Sequence, residues 1–84
     1  MDPIDILGFV GGALATIAFF PQVWKSWKSG STRDISLPAF STLMVANFLW
    51  IAYGVALGSA PLIVTNALTG SMITSLVILK IRNG

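Results

Sequence analysis

Asn47, Trp50 and Asn66 are the side chains of this 84-residue chain whose types and placement could hold a ligand. An indole offers a flat apolar face, and a carboxamide offers two donors and an acceptor. Little else in the sequence can do chemistry. Cysteine and histidine are both absent, which removes disulfides, thiolate nucleophiles and the usual transition-metal ligands, so no cofactor or metal is expected. Serine and threonine are plentiful, yet the acids Asp2, Asp5 and Asp34 all fall outside the apolar stretches and no base stands ready to activate a hydroxyl. A binding protein is expected, not an enzyme.

The elements that position these residues follow from solvent preference. Apolar residues make up 55% of the chain and charged ones 10%, where soluble domains carry about 25% charged residues. Three apolar runs, Ile6 to Trp24, Leu37 to Leu57 and Leu62 to Leu79, lack any Asp, Glu, Lys or Arg. Each falls within the roughly 17 to 25 residues that cross a bilayer as a helix. The expected fold is therefore an all-α membrane bundle of three transmembrane helices, residues 1–84 forming one domain. Met1-Asp2-Pro3-Ile4-Asp5 is acidic where a signal peptide carries a basic start, so the first run is expected to stay in the mature protein.

Depth can then be assigned. At 1.5 Å per residue, Trp50 lies roughly 4.5 Å and Asn66 roughly 6 Å to the same side of the mid-plane. Leu43, Asn47, Trp50, Gly54 and Leu57 follow helical spacing and form one stripe. Trp24 and Trp27 suit an interfacial belt, but Trp50 is too deep for one. Asn47 and Asn66 each have a second reading as helix-to-helix glue. Trp50 and Asn66 at one level favour a pocket, since polar groups deep in lipid tend to line functional cavities. A sugar suits it chemically, its C–H face on the indole and its hydroxyls on the amides.

Charge sets the orientation. Lys25, Lys28 and Arg33 are read as following span one, and Lys80 and Arg82 follow span three, so all five basic residues share one side and Asp2 and Asp5 the other. The positive-inside rule puts the N-terminus outside and the C-terminus in the cytoplasm. Scattered at membrane flanks, these cations leave no nucleic-acid footprint. Ser36 with Pro38, and Ser59 with Pro61, read as helix caps followed by first-turn prolines. The short link Gly58 to Pro61 makes spans two and three antiparallel neighbours. Gly8 with Gly12, Gly54 with Gly58, and Ala67 with Ser71 and Ser75 recur at the spacing that lets helices approach closely in lipid, chiefly within the bundle.

Pro21-Gln22 interrupts span one about a turn from its end. Proline removes one helical hydrogen bond and crowds the carbonyl four residues earlier, so a hinge is expected, with Gln22 as a possible partner for the freed carbonyl.

Taken in order, Phe20-Pro21-Gln22-Val23, Thr32-Arg33-Asp34-Ile35-Ser36, Leu49-Trp50-Ile51-Ala52-Tyr53-Gly54 and Asn66 resemble a SemiSWEET, a bacterial half-size member of the SWEET and PQ-loop transporters. The resemblance covers nearly the whole chain. It implies a parallel homodimer in a bacterial inner membrane that moves sugars by facilitated diffusion and alternating access. By position it assigns Trp50 and Asn66 to substrate binding, Pro21 and Gln22 to the hinge, Ala39, Phe40 and Leu43 to the inner gate, and Tyr53 to the outer gate. Leu57 and Ser59 stand where relatives often carry charges, which points to apolar closure of the outer gate by Tyr53 and Leu57.

Elementary geometry leads to the same dimer, because three helices are too few to enclose a path for a sugar. The expected partners are thus a sugar, membrane lipid and a second copy. Two alternatives stand beside the carrier: a small non-transporting subunit that packs against a larger membrane protein, and a proton-coupled PQ-loop carrier of amino acids. The latter would want a titratable group inside a span, and none is there.

Overall fold

The computed structural model describes residues 2–84, which form three helices: α1 (Pro3–Ser29), α2 (Leu37–Leu57) and α3 (Ala60–Asn83). Each is long and apolar enough to cross a membrane. Every helix starts the same way, with a short polar side chain that accepts from an early backbone amide and a proline in the first turn. Asp2 accepts from Ile4 N, Ser36 from Ala39 N and Ser59 from Leu62 N. Such caps satisfy amides that have no intrahelical partner.

α1 extends past the apolar run at both ends, so Lys25 and Lys28 lie on helix, not in the following loop. Hydropathy reports where lipid ends, whereas the helix continues until a residue stops it. Gly30 does so, taking φ 72° and donating its N–H to the Ser26 carbonyl. Few residues other than glycine enter that left-handed region readily. Pro21 consequently sits about two turns from the end of α1, while its place within the apolar run is unchanged.

α3 lies between the other two helices. It packs on both α1 and α2, and among the described residues α1 and α2 do not pack on each other. No α1 residue is buried, while α3 supplies Pro61, Ile73, Leu76, Val77 and Leu79.

The small residues explain this order. On α1, a Cβ at Gly8 would lie 2.8 Å from Pro61 Cβ, and one at Gly12 would overlap the Thr65 side chain. On α2, a Cβ at Gly54 would lie 2.9 Å from Leu62 Cβ and 3.3 Å from the Ile63 nitrogen. These glycines let α1 and α2 approach opposite flanks of α3. Gly58 does not share that role: with φ 69° and open space around it, it caps α2.

The α1–α2 loop has to cross the end of α3 to reach α2, and it is tied down as it crosses. Lys80 Nζ donates to the Thr32 carbonyl at 3.2 Å and Asn83 Nδ2 to the Gly30 carbonyl at 3.0 Å. Thr32 and Ile35 are buried. The bundle measures 43 × 22 × 13 Å. Set against a single helix of about 10–12 Å diameter, it is a thin, open slab.

Candidate functional site

Two contacts fix the register of α2 on α3. Gly54 meets Leu62 and Ile63, and further along the antiparallel pair Gly70 meets Asn47. Trp50, three residues beyond Asn47, is therefore level with Asn66, four residues before Gly70.

Level does not mean adjacent within one protomer. The stripe expected to face a cavity is divided lengthwise. Asn47 and Gly54 are buried, whereas Leu43, Trp50 and Leu57 remain exposed. At about 100° per residue, three residues turn Trp50 roughly 60° away from Asn47. That rotation moves the indole off the packed seam and onto the open flank of α2.

Asn47 follows the glue reading. Its Nδ2 donates to the Leu43 carbonyl at 2.8 Å. Thr69 Oγ1, on α3, lies 3.0 Å from both Asn47 Oδ1 and the Thr65 carbonyl and shares its one proton between them. A deep amide bonded across a helix seam fixes register and leaves little for a ligand. Thr69 was not singled out in the sequence. An Asn and a Thr on neighbouring antiparallel spans at matching depth were the available signal.

Asn66 is placed differently. Its Nδ2 donates to the Leu62 carbonyl at 2.9 Å, and its Oδ1 takes no hydrogen bond among the described residues. It lines a groove of about 490 Å³ with Asn47, Gly70 and Thr74, and a smaller one of about 240 Å³ with Asp5, Gly8 and Thr65. Trp50 lines a separate shallow concavity of about 440 Å³ with Ala46, Leu49 and Tyr53. The indole and the Tyr53 ring meet edge to face, centroids 5.7 Å apart at 76°. Trp50 and Tyr53 are 51% and 53% exposed, a large aromatic surface that their own chain leaves half open.

The other residues singled out in the sequence spread along the bundle. Ala39 and Leu43 are exposed and Phe40 half-buried on the first turns of α2, at the basic end. Tyr53 and Leu57 are exposed on its last turns, at the opposite end. Pro21 and Gln22 are exposed inside α1, whose helix runs unbroken through them. Gln22 makes no hydrogen bond among the described residues, so it does not serve the freed carbonyl within one protomer.

No group of His, Cys, Asp or Glu among the described residues could hold a metal ion. What the site offers is recognition chemistry: aromatic face, amide and hydroxyls.

Comparison with known proteins agrees along the whole chain. The PQ loop repeat family model matches residues 3–63. The sugar transporter SemiSWEET of Bradyrhizobium diazoefficiens is 40% identical over 86 residues, covering 100% of both chains. The sugar transporter SemiSWEET of Leptospira biflexa is 30% identical over 80 residues, 95% of this chain and 94% of its own. A crystal structure of a bacterial homologue of SWEET transporters superimposes with a TM-score of 0.89 at 35% identity, covering 99% of this chain and 100% of the other. With its Pro-Gln pair in the first of three membrane helices and these full-length matches, the chain belongs to the SemiSWEET proteins of the PQ-loop family.

Proposed function

We propose that this protein is a sugar uniporter that works as a parallel homodimer, with the binding site at the subunit interface. One observation carries the reading. The bundle is a thin slab that leaves Trp50 half exposed at the level of Asn66, so a pocket around the two requires a second copy. Two slabs related by an axis along the membrane normal give six helices around a central space, the arrangement of a parallel repeat. Trp50 would stack on the sugar ring and Asn66 would bond its hydroxyls. Ala39, Phe40 and Leu43 at the basic end, and Tyr53 with Leu57 at the other, would close the path alternately.

The basic end gathers Lys25, Lys28, Arg33, Lys80 and Arg82, which supports a cytoplasmic C-terminus and an external N-terminus in a bacterial inner membrane. Transport would be uncoupled, because no membrane-spanning run contains a side chain that changes charge near neutral pH.

The test is uptake of radiolabelled mono- and disaccharides into proteoliposomes. Internal sugar is expected to rise to the external concentration and stop there, with or without a proton or sodium gradient. Sustained accumulation that vanishes when a gradient is collapsed would refute the uniporter, and no uptake of any sugar would return the chain to the role of a non-transporting subunit. In lipid nanodiscs the protein mass should be twice 8.9 kDa. A particle that transports as a single chain would refute the interface site.

A further inference from the structure

Gly11 is the glycine that the fold of one chain does not explain. Gly8, Gly12, Gly54 and Gly70 each press against a neighbouring helix, and Gly30, Gly58 and Gly84 take the positive φ of a helix end. Gly11 does neither. It lies inside α1 without a positive φ, and a Cβ built on it meets nothing within 4 Å among the described residues. An interior glycine weakens a helix relative to alanine, so its presence costs stability that no contact within the chain returns.

Its height and direction both follow from the packing. Gly8 meets Pro61 and Gly12 meets Thr65, so α1 and α3 run parallel and Gly11 is level with Val64. At 1.5 Å per residue, that is about 3 Å from the level of Asn66. At about 100° per residue, Gly11 points within roughly 20° of Ile4, which lines the groove of about 240 Å³ together with Gly8, Thr65 and Asn66. This groove and the one of about 490 Å³ lie on opposite faces of the slab. Starting from Asn66, the smaller groove takes Leu62 and Thr65 in one sense round α3, and the larger takes Gly70 and Thr74 in the other. On α2 the larger groove takes Phe48 and Ile51, which turn roughly 100° and 40° from the packed Asn47, whereas Trp50 turns roughly 60° in the opposite sense. Trp50 is therefore on the face away from the larger groove. That face is the one carrying the smaller groove and Gly11.

We propose that Gly11 is a specificity-determining residue of the sugar pocket, its missing side chain leaving room for the second ring of a disaccharide. The inference rests on the sugar-carrier reading above. With one ring against Trp50 and Asn66, α1 is the remaining wall of the same protomer at this height, and at Gly11 that wall is bare backbone. Helical hydrogen bonds already occupy its amide and carbonyl, so it selects by space and not by bonding. A parallel dimer contains the recess twice, and any side chain placed there enters the pocket twice.

The experiment measures binding of glucose, galactose, maltose and sucrose by isothermal titration, beside dimer mass and thermal melts. Wild type is compared with Gly11→Ala, Gly11→Leu and Ala13→Leu, the last adding the same side chain roughly 160° round α1 from Gly11. Wild type should bind at least one of the disaccharides. Gly11→Leu should weaken disaccharide binding roughly tenfold or more and monosaccharide binding no more than about threefold, the selectivity that a filled recess gives. Gly11→Ala should shift the ratio in the same direction by a smaller factor and melt higher than wild type. Ala13→Leu should leave the ratio unchanged. If Gly11→Leu does not fold, the ratio in Gly11→Ala decides. An unchanged ratio in the folded Gly11 variants, or wild type binding monosaccharides alone, overturns the role of Gly11 and leaves the carrier standing. Loss of the dimer in both Gly11 variants would assign the glycine to contact between copies and overturns it too. Wild type that binds no sugar refutes the carrier reading itself.

Discussion

Trp50→Ala is expected to weaken sugar binding roughly 30-fold while leaving a folded dimer. Covering one face of the indole removes on the order of 100 Å² of apolar surface from water, worth about 2 kcal/mol at 20–25 cal/mol per Å², and 1.4 kcal/mol is about tenfold in affinity. The fold should survive because Trp50 is half exposed, its indole edge to face with the equally exposed Tyr53. Asn66→Ala is expected to cost about tenfold, the worth of one well-placed hydrogen bond. Its effect on folding is also small, since the bond it makes within the chain is a local one to the Leu62 carbonyl. Asn47→Ala is the informative contrast. It breaks the bond to Thr69 across the α2–α3 seam, so it should lower thermal stability with a smaller change in sugar affinity. Isothermal titration beside thermal melts separates these outcomes, and normal binding by both Trp50→Ala and Asn66→Ala would put the pocket elsewhere.

Pro21→Ala should divide binding from movement. In α1 the proline withholds the amide that would donate to the Ile17 carbonyl, and the helix nonetheless continues for two further turns to Ser29. Alanine restores that bond and the straight-helix preference, a difference of about 3 kcal/mol in a helix interior. If Pro21 is the hinge of the proposed alternating cycle, a stiffened α1 should keep sugar affinity within about threefold while liposome flux falls at least tenfold. The stiffened variant should also melt higher. Normal flux in Pro21→Ala would remove the hinge from the mechanism.

The three helices and the caps of α2 and α3 were legible because each rests on a local signal: an uncharged apolar run, or a serine followed by proline in the first helical turn. The shared level of Trp50 and Asn66 along the α2–α3 pair was legible too. The order of packing was not. Small residues recur at a spacing of four on every helix, and nothing local reveals that Gly8 and Gly12 meet Pro61 and Thr65, making α3 the middle helix. The divided stripe on α2 escaped for a related reason. Helical spacing groups Asn47 with Trp50, but only the position of α3 decides that the amide is packed and the indole left open. A site shared between two copies, as proposed above, would be the hardest to read, because the packing of one chain shows only half of its contacts.

The middle position of α3 has a consequence for synthesis. α1 emerges first, but its glycine-lined face fits a helix made last, and α2 offers it no surface. At about 5–20 residues per second, α1 waits roughly 3 to 10 seconds as a lone helix in lipid before α3 is complete. Its composition suits that wait, since the run from Ile6 to Trp24 carries no charge to strand in hydrocarbon, and Thr16 returns its hydroxyl to the Gly12 carbonyl of its own helix at 2.8 Å. α3, by contrast, arrives when both partners are present. On this order a membrane-insertion machine would release an uncharged helix first, then a hairpin of α2 and α3 whose free flank completes the bundle.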